Sequence, residues 1–341
     1  MLSKTKIKLI TTVISIVAIF FAWDSYRFMN TAMQLPENGL HYTFKRGSSA
    51  SKLVFDLSKQ NIINQPFYFK VWGKLSGKTK KLQAGEYILE SGLTPFQLLN
   101  KMVQGDVKLY AFTIIEGWSF KQMMQALRAD QNLQHQLISA DSNETIMGKI
   151  GFPGQHPEGQ FFPDTYRFPA GTTDIQFLKR AYLQMESHLE AEWNNKASGL
   201  PLKNKYEALI LASIVEKESA APEERPVIAG VFINRLIKNM RLQTDPTVIY
   251  GLGDNYDGDI RFRHLREDTP YNTYTRKGLT PTPIAMPGLE AIRAALNPEL
   301  TDYLYFVATG ENGRHYFSST NAEHQRAVTK YQRYLRKKNR K

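Results

Sequence analysis

A carboxylate stands at the end of an apolar stripe near the middle of this chain. Residues Glu207 to Ser219 read as a helix in which Leu211, Ile214 and Val215 recur at i, i+3, i+4 spacing, and Glu218 takes the next position on that stripe. A carboxyl group so placed is partly desolvated, which disfavours its charged form and raises its pKa. A general acid working near neutral pH needs that property. Glu216 lies on a neighbouring strip with Leu209, Ala212 and Ser213 and is the reserve candidate, while Lys217 points elsewhere. The competing reading of Glu218 is a helix-end carboxylate that faces solvent or pairs with Arg225, since most helical glutamates are surface groups.

Further acids sit on loops rich in proline and aromatic residues: Glu158, Asp164, Asp245 and Glu290. Asn234, Gln243, Tyr271, Asn272 and Tyr274 add neutral donors and acceptors. Such a set suits sugars, whose apolar faces stack on rings while their hydroxyls need neutral partners, and the aromatic share of 12% fits. The plainer reading of Glu158 is a structural salt bridge. Asp245, followed by Pro246, could as well cap a helix as touch a sugar.

Several chemistries are excluded. The chain has no P-loop, no dinucleotide-binding glycine fingerprint, no His-Glu-x-x-His and no Gly-x-Ser-x-Gly elbow. It has no cysteine, which removes disulfides, thiol nucleophiles and thiolate metal sites. Seven histidines (His41, His135, His156, His188, His264, His315, His324) are isolated, without metal-ligand spacing. Neither cofactor nor metal is expected, and acid–base work by carboxylates remains.

The elements that must position these groups begin at a membrane. Lys4, Lys6 and Lys8 precede an uncharged run from Leu9 to Trp23. A spanning helix needs about 20 residues, which residues 9–29 supply. The run ends in Phe20, Phe21, Ala22 and Trp23, without the small residues of a signal-peptide cleavage site, so an uncleaved anchor fits better than a secretory signal. The lysines predict that residues 1–8 stay in the cytoplasm and the rest lies outside it. Net charge is +12, and Lys330 to Lys341 hold seven Lys or Arg and no acid. No nucleic-acid motif accompanies them, so nucleic acid is not an expected partner. Anionic lipid, an anionic polymer or plain solvation of the tail fits better.

With 341 residues the chain has room for about two domains. After a linker at 30–40, residues 41–105 read as a β-α-α-β unit with one further helix: strands His41 to Phe44 and Gly85 to Leu89, helices through Leu53 to Leu57, Phe67 to Leu75 and Phe96 to Val103. This order loosely resembles a LysM-type glycan-binding module, with a spacer that binds nothing as the alternative. Residues 106–341 read as a larger, mainly helical domain. Val107 to Ile115 alternates as a strand, Gly151 to Pro169 is aperiodic, and Asp174 can cap a helix through Leu189. Arg241 to Tyr250 reads as a loop after the central helix pair. A helix at Leu289 to Leu296, a strand at Tyr303 to Ala308, a paired strand near His315 to Phe317 and a basic terminal helix follow. The fold class is α+β.

Longer runs now become recognisable: Ala212-Ser-Ile-Val-Glu-Lys-Glu-Ser219, Val231-Phe-Ile-Asn-Arg-Leu236, Arg241-Leu-Gln-Thr-Asp-Pro-Thr-Val-Ile-Tyr-Gly251, Tyr271-Asn-Thr-Tyr274 and Tyr303-Leu-Tyr-Phe-Val307. With the anchor and the LysM-like unit, they closely resemble the endolytic murein transglycosylase family (MltG, also called YceG-like). The resemblance implies a cut inside nascent peptidoglycan strands, between N-acetylmuramic acid and N-acetylglucosamine, that leaves a 1,6-anhydro-muramic end. It implies action from the outer face of the inner membrane, in the periplasm, and a role in ending glycan synthesis, which makes peptidoglycan synthases partners to expect beside the glycan strand. The family's catalytic glutamate maps to the second Glu of Glu-Lys-Glu, Glu218. Substrate contacts are expected from Glu158, Asn234, Gln243, Asp245, Asn272 and Tyr274. Two rivals stay open. A hydrolytic muramidase would need Asp245 or Glu158 to activate water, and a glycan-binding scaffold would need no acid at all.

Overall fold

A computed structural model describes residues 4–219, 221–311 and 313–338. Met1 to Ser3 of the stretch expected in the cytoplasm, Ala220 in the break after the central helix, and Arg340 and Lys341 of the basic tail lie outside the described residues. The chain divides into two compact units, Met1–Ala111 with Arg167–Thr172, and Phe112–Tyr166 with Thr173–Lys341.

The first unit opens with helix α1 (Lys4–Asn30), 27 residues that are long and apolar enough to cross a membrane. At 1.5 Å per residue it measures about 40 Å. Its apolar side chains from Ile7 to Trp23 are largely exposed, as a lipid-facing surface requires. Only its end is buried, at Ser25 and Met29. Strand β1 (Leu40–Phe44), helices α2 (Ala50–Lys59) and α3 (Pro66–Leu75), strand β2 (Gly85–Leu89) and helix α4 (Pro95–Gln104) follow. The two strands pair antiparallel, with Tyr42 opposite Tyr87 and Phe44 opposite Gly85. Side-chain caps start the helices: Ser49 accepts from Lys52 N–H, and Thr94 and Gln97 form a reciprocal capping box. Gly105, at φ 70°, ends α4 in a conformation that costs glycine little. Leu53, Leu57, Phe69, Tyr87, Leu98 and Met102 fill the core. The stretch read as a linker has no regular element but is docked: Met33 is buried and its N–H donates to Leu93 O at 2.9 Å.

The second unit is mainly helical, and the fold as a whole is α+β. Strand β3 (Leu109–Thr113) pairs with β4 (Thr165–Pro169). Helices α5 (Phe120–Ala129), α6 (Asn143–Ile150), α7 (Asp174–Asn194), α8 (Lys205–Glu218), α9 (Arg225–Ile237), α10 (Asp245–Leu252), α11 (Phe262–Arg266) and α12 (Leu289–Leu296) build the body. Strands β5 (Tyr305–Ala308) and β6 (His315–Ser318) form an antiparallel hairpin with Phe306 opposite Phe317, and helix α13 (Asn321–Lys338) closes the described chain.

Helix α8 is the hub. It packs against α7, α9, α10 and α12. Every residue from Ala208 to Val215 is buried, so it has no solvent face along that stretch. The i, i+3, i+4 stripe at Leu211, Ile214 and Val215 is therefore part of a core helix buried all round.

Two expectations are corrected. The capping residue of α7 is Thr173, in a capping box with Gln176; Asp174 is the first helical residue and its carboxylate accepts from the N–H groups of Gln136 and Leu137 instead. The run from Arg241 to Tyr250 is only half loop, because α10 begins at Asp245 with Pro246 in its first turn, where a missing N–H costs nothing.

Candidate active site

Glu218 is the last residue of α8, and the next residue, Ser219, leaves the helix in an extended conformation. The buried body of α8 fixes the carboxylate's origin, and the end of the helix lets it meet a cleft of about 560 Å³. Arg235, Gln243, Asp245 and Tyr274 share that cleft, with Tyr305 to Ala308 of β5, His315 of β6 and the start of α13.

The Thr244 hydroxyl donates to Glu218 Oε2 at 2.7 Å. Burial is the largest influence on this carboxyl group and pushes its pKa above the usual value; the Asp245 charge pushes the same way, while the Thr244 hydrogen bond and the charges of His315 and Arg235 oppose it. The result is a carboxyl group that holds its proton more readily than a surface glutamate, beside a donor that can stabilise it once ionised.

Each wall of the cleft is held by bonds to the others. Arg235, 6% exposed, donates from Nε to Leu304 O at 2.6 Å and from Nη1 to Leu242 O at 2.7 Å and Arg241 O at 3.2 Å. It thereby ties the approach to β5 to the loop before α10, and its guanidinium lies 5.2 Å from the Tyr305 ring centroid. Gln243 adopts a φ of 50°, unusual for a residue with a Cβ, and its N–H donates to Thr273 O at 3.1 Å. Tyr274 donates its hydroxyl to Asp245 Oδ1 at 2.6 Å. His315 Nδ1 lies 2.8 Å from Glu224 Oε2, and its N–H donates to Glu224 Oε1 at 3.2 Å. Its Nε2 has no hydrogen-bond partner among the described residues. His324, stacked on Tyr305, also lines the cleft.

Of the residues expected to touch substrate, Gln243, Asp245 and Tyr274 thus lie in one cleft with Glu218. Asn234, Asn272 and Glu158 do not. Asn234 Nδ2 donates to Thr301 O and Tyr303 O at 2.7 and 3.1 Å, on another side of α9. Asn272 is 1% exposed; its Nδ2 serves His264 O and Glu267 O, and its Oδ1 accepts from Tyr274 N–H at 2.8 Å, so it shapes the loop that presents Tyr274. Glu158 is 3% exposed, with Oε1 accepting from Phe120 N–H at 2.8 Å and Oε2 from the Tyr250 hydroxyl at 3.0 Å. It pins α5 to α10 from inside the protein. Glu216, the reserve candidate, is bound to Arg225 at 2.9 Å and accepts from Gly288 N–H at 3.0 Å. Arg225 is therefore the partner of Glu216, and the pairing that would have made Glu218 a plain structural group is absent.

Burial raises the Glu158 pKa from 4.5 to about 7, with hydrogen bonds from Phe120, Tyr250 and Gly159 opposing. Because the folded value is the higher one, the cost of charging this group is absent below pH 4.5 and grows as pH rises to about 7. At most about 3 kcal/mol of stability is lost across that window, at 1.36 kcal/mol per pKa unit. Glu158→Gln keeps the shape without the charge, with its amide oxygen accepting from Phe120 N–H and its NH2 donating to the Tyr250 hydroxyl oxygen. Its unfolding free energy is expected to fall less than that of the wild type between about pH 5 and pH 8, as urea melts at the two pH values would read. Parallel curves would show that Glu158 is already ionised without cost.

Sequence comparisons join this geometry to known proteins. A profile of the YceG-like family matches residues 42–330. A Bacillus subtilis protein named endolytic murein transglycosylase is 35% identical over 305 residues, an alignment that covers 84% of this chain and 82% of that protein. A Streptococcus pneumoniae protein of the same name is 28% identical over 320 residues, covering 84% of this chain and 57% of that longer protein. A crystal structure of a yceG-like protein from Listeria monocytogenes superposes with a TM-score of 0.55 at 30% identity, covering 85% of this chain and 99% of that one.

Proposed function

The chain belongs to the YceG-like family, and from that premise we propose that it is a peptidoglycan lytic transglycosylase that cuts inside murein strands. The observation that carries this reading is Glu218 itself: a carboxyl group whose hold on its proton is strengthened by burial, bonded to Thr244, and open to a cleft that Gln243, Tyr274 and Tyr305 line beside Arg235 and Asp245.

In the proposed reaction, protonated Glu218 gives its proton to the oxygen linking N-acetylmuramic acid to N-acetylglucosamine. The C1–O bond breaks, and the departing sugar keeps the proton as a hydroxyl. The substrate's own acetamido oxygen supports the electron-poor C1, one of the exceptions to the two-carboxylate scheme. Ionised Glu218, steadied by the Thr244 hydroxyl and the Arg235 charge, then takes the proton of the muramic C6 hydroxyl. O6 closes on C1 to form the 1,6-anhydro ring, Glu218 ends as it began, and no water is consumed. Gln243, Tyr274 and Asp245 meet the hydroxyl and acetamido groups on either side of the scissile bond.

We also assign α1 as a single-pass anchor in the inner membrane, with Lys4, Lys6 and Lys8 on the cytoplasmic side and both units beyond α1 in the periplasm. The β1-α2-α3-β2 arrangement serves in this reading as a LysM-like module that grips the strand. Synthesis enzymes that extrude new glycan would be its neighbours there.

Digesting purified murein with the full-length protein in detergent and weighing the fragments by mass spectrometry tests the chemistry. Internal fragments ending in anhydro-muramic acid are expected. Reducing ends in their place would mean that Asp245, the one second carboxylate in the cleft among the described residues, activates water as in a hydrolytic muramidase.

A further inference from the structure

Resting on that reading of the cleft, we propose that the basic face of α13 binds the carboxylates of the peptide stems on the strand being cut, so that the enzyme favours stem-bearing glycan over denuded glycan. The first turns of α13 contribute Asn321, His324, Gln325 and Val328 to the catalytic cleft. Beyond them, Arg326, Lys330, Arg333 and Lys337 recur at spacings of four, three and four, which places them on one side of the helix. All four are exposed, and they line a shallow depression of about 640 Å³ that Gln325 shares with the cleft. The depression therefore continues the cleft along the helix, over about 16 Å at 1.5 Å per residue.

The charge on this face is only lightly used inside the protein, by the Glu323 carboxylate near Arg326 and the Tyr316 ring near Lys330. Among the described residues, none of the four makes an ion pair, whereas Arg276, Arg293 and Arg314 elsewhere in the same unit all do. Glu323, the one acid of α13, spends an oxygen on the N–H groups of Ser319 and Thr320 at the start of the helix. Lys330 is already steered, with Nζ 4.5 Å from the Tyr316 ring centroid. The helix dipole rewards cations in the last turn but not Arg326 or Lys330 in the first half. Like charges three and four residues apart repel, so the row weakens the isolated helix. An anionic ligand offsets that repulsion. Murein stems carry several free carboxylates each at intervals along the strand, whereas a strand stripped of stems keeps only the single lactyl carboxylate of each muramic acid.

The test compares cleavage of two preparations of the same murein strands, one intact and one stripped of stems by an amidase. Wild-type full-length protein in detergent is expected to cut stem-bearing strands about tenfold faster in kcat/KM at low salt, an advantage that shrinks at high salt because exposed charges are screened. The quadruple variant Arg326→Gln, Lys330→Gln, Arg333→Gln, Lys337→Gln is expected to lose most of that advantage while cutting stripped strands at the wild-type rate. The proposal is overturned if the variant keeps the preference, or if both substrates slow equally. It is also overturned if the variant keeps the preference but loses binding to vesicles of anionic phospholipid, which would make the face a lipid contact. Absence of anhydro ends from both substrates with the wild type would instead count against the transglycosylase reading itself, so the two failures are separable.

Discussion

Replacing Glu218 with Gln is expected to lower the yield of anhydro-muramic ends by at least about a thousandfold, with the fold intact, because one side chain supplies both proton transfers and each is worth 10²–10⁴. The amide can neither give a proton to the glycosidic oxygen nor take one from the C6 hydroxyl. It can still accept from the Thr244 hydroxyl, the bond that Oε2 makes at 2.7 Å, so the end of α8 need not move. Stability should not fall, since the variant also loses the cost of burying a charge at this position. The wild type adds a second readout. Glu218 must begin protonated, so its rate falls on the alkaline side as pH passes the group's raised pKa, later than an ordinary glutamate would allow. Mass spectrometry of digests, paired with thermal melts, checks both. A Gln variant that retains a tenth of wild-type cleavage would move the chemistry to another acid. A wild-type rate already declining at pH 5 would show that burial does not hold the proton.

What could be read from the chain and what could not divide along physical lines. Glu218 was legible because its signal is local: a helical period carries Leu211, Ile214 and Val215 to it within one element. The caps at Ser49, Thr94 and Ser119 are local as well, each set by a side chain and an N–H three residues away. Strand β4 hides in an aperiodic, proline-rich run because its partner lies far back in the chain; Thr113 and Thr165, which share a hydroxyl contact, stand 52 positions apart. The walls of the cleft are less legible still. His315 looked isolated because the carboxylate that orients it, Glu224, precedes it by 91 positions. Asn234 and Arg235 are adjacent, and the amide was the more sugar-like of the two. A helix turns about 100° per residue, which here carries the Asn234 amide away to the carbonyls of Thr301 and Tyr303 and leaves the arginine in the cleft. Asn272 has the chemistry of a sugar ligand, yet a buried amide with two donors can serve a loop as well as a sugar, and no sequence period distinguishes the two uses.

Arg235→Met is expected to cost about 3 to 5 kcal/mol of stability and about a hundredfold in kcat/KM, because it strips a buried hub of its donors. Methionine roughly preserves the volume under Tyr305 but leaves the carbonyls of Leu304, Leu242 and Arg241 without the guanidinium. The loop bearing Gln243 and the approach to β5 then lose their common tie, and misplacement by an ångström in a substrate-holding wall is enough for a rate loss of about that size. An electrostatic effect comes with it. The Arg235 charge favours ionised Glu218, so removing it raises the glutamate's pKa further and moves the alkaline limb of the rate profile to higher pH. Arg235→Lys separates the two contributions. An ammonium keeps the charge but cannot reach three carbonyls through a planar fork, so stability and rate should fall while the alkaline limb stays near that of wild type. Chemical melts and pH–rate profiles of both variants therefore give four numbers for two causes. If the methionine variant melts with the wild type, the hub is not holding the cleft; if the two variants share one alkaline limb, the arginine's charge does not reach Glu218, and its contribution is the shape of the cleft alone.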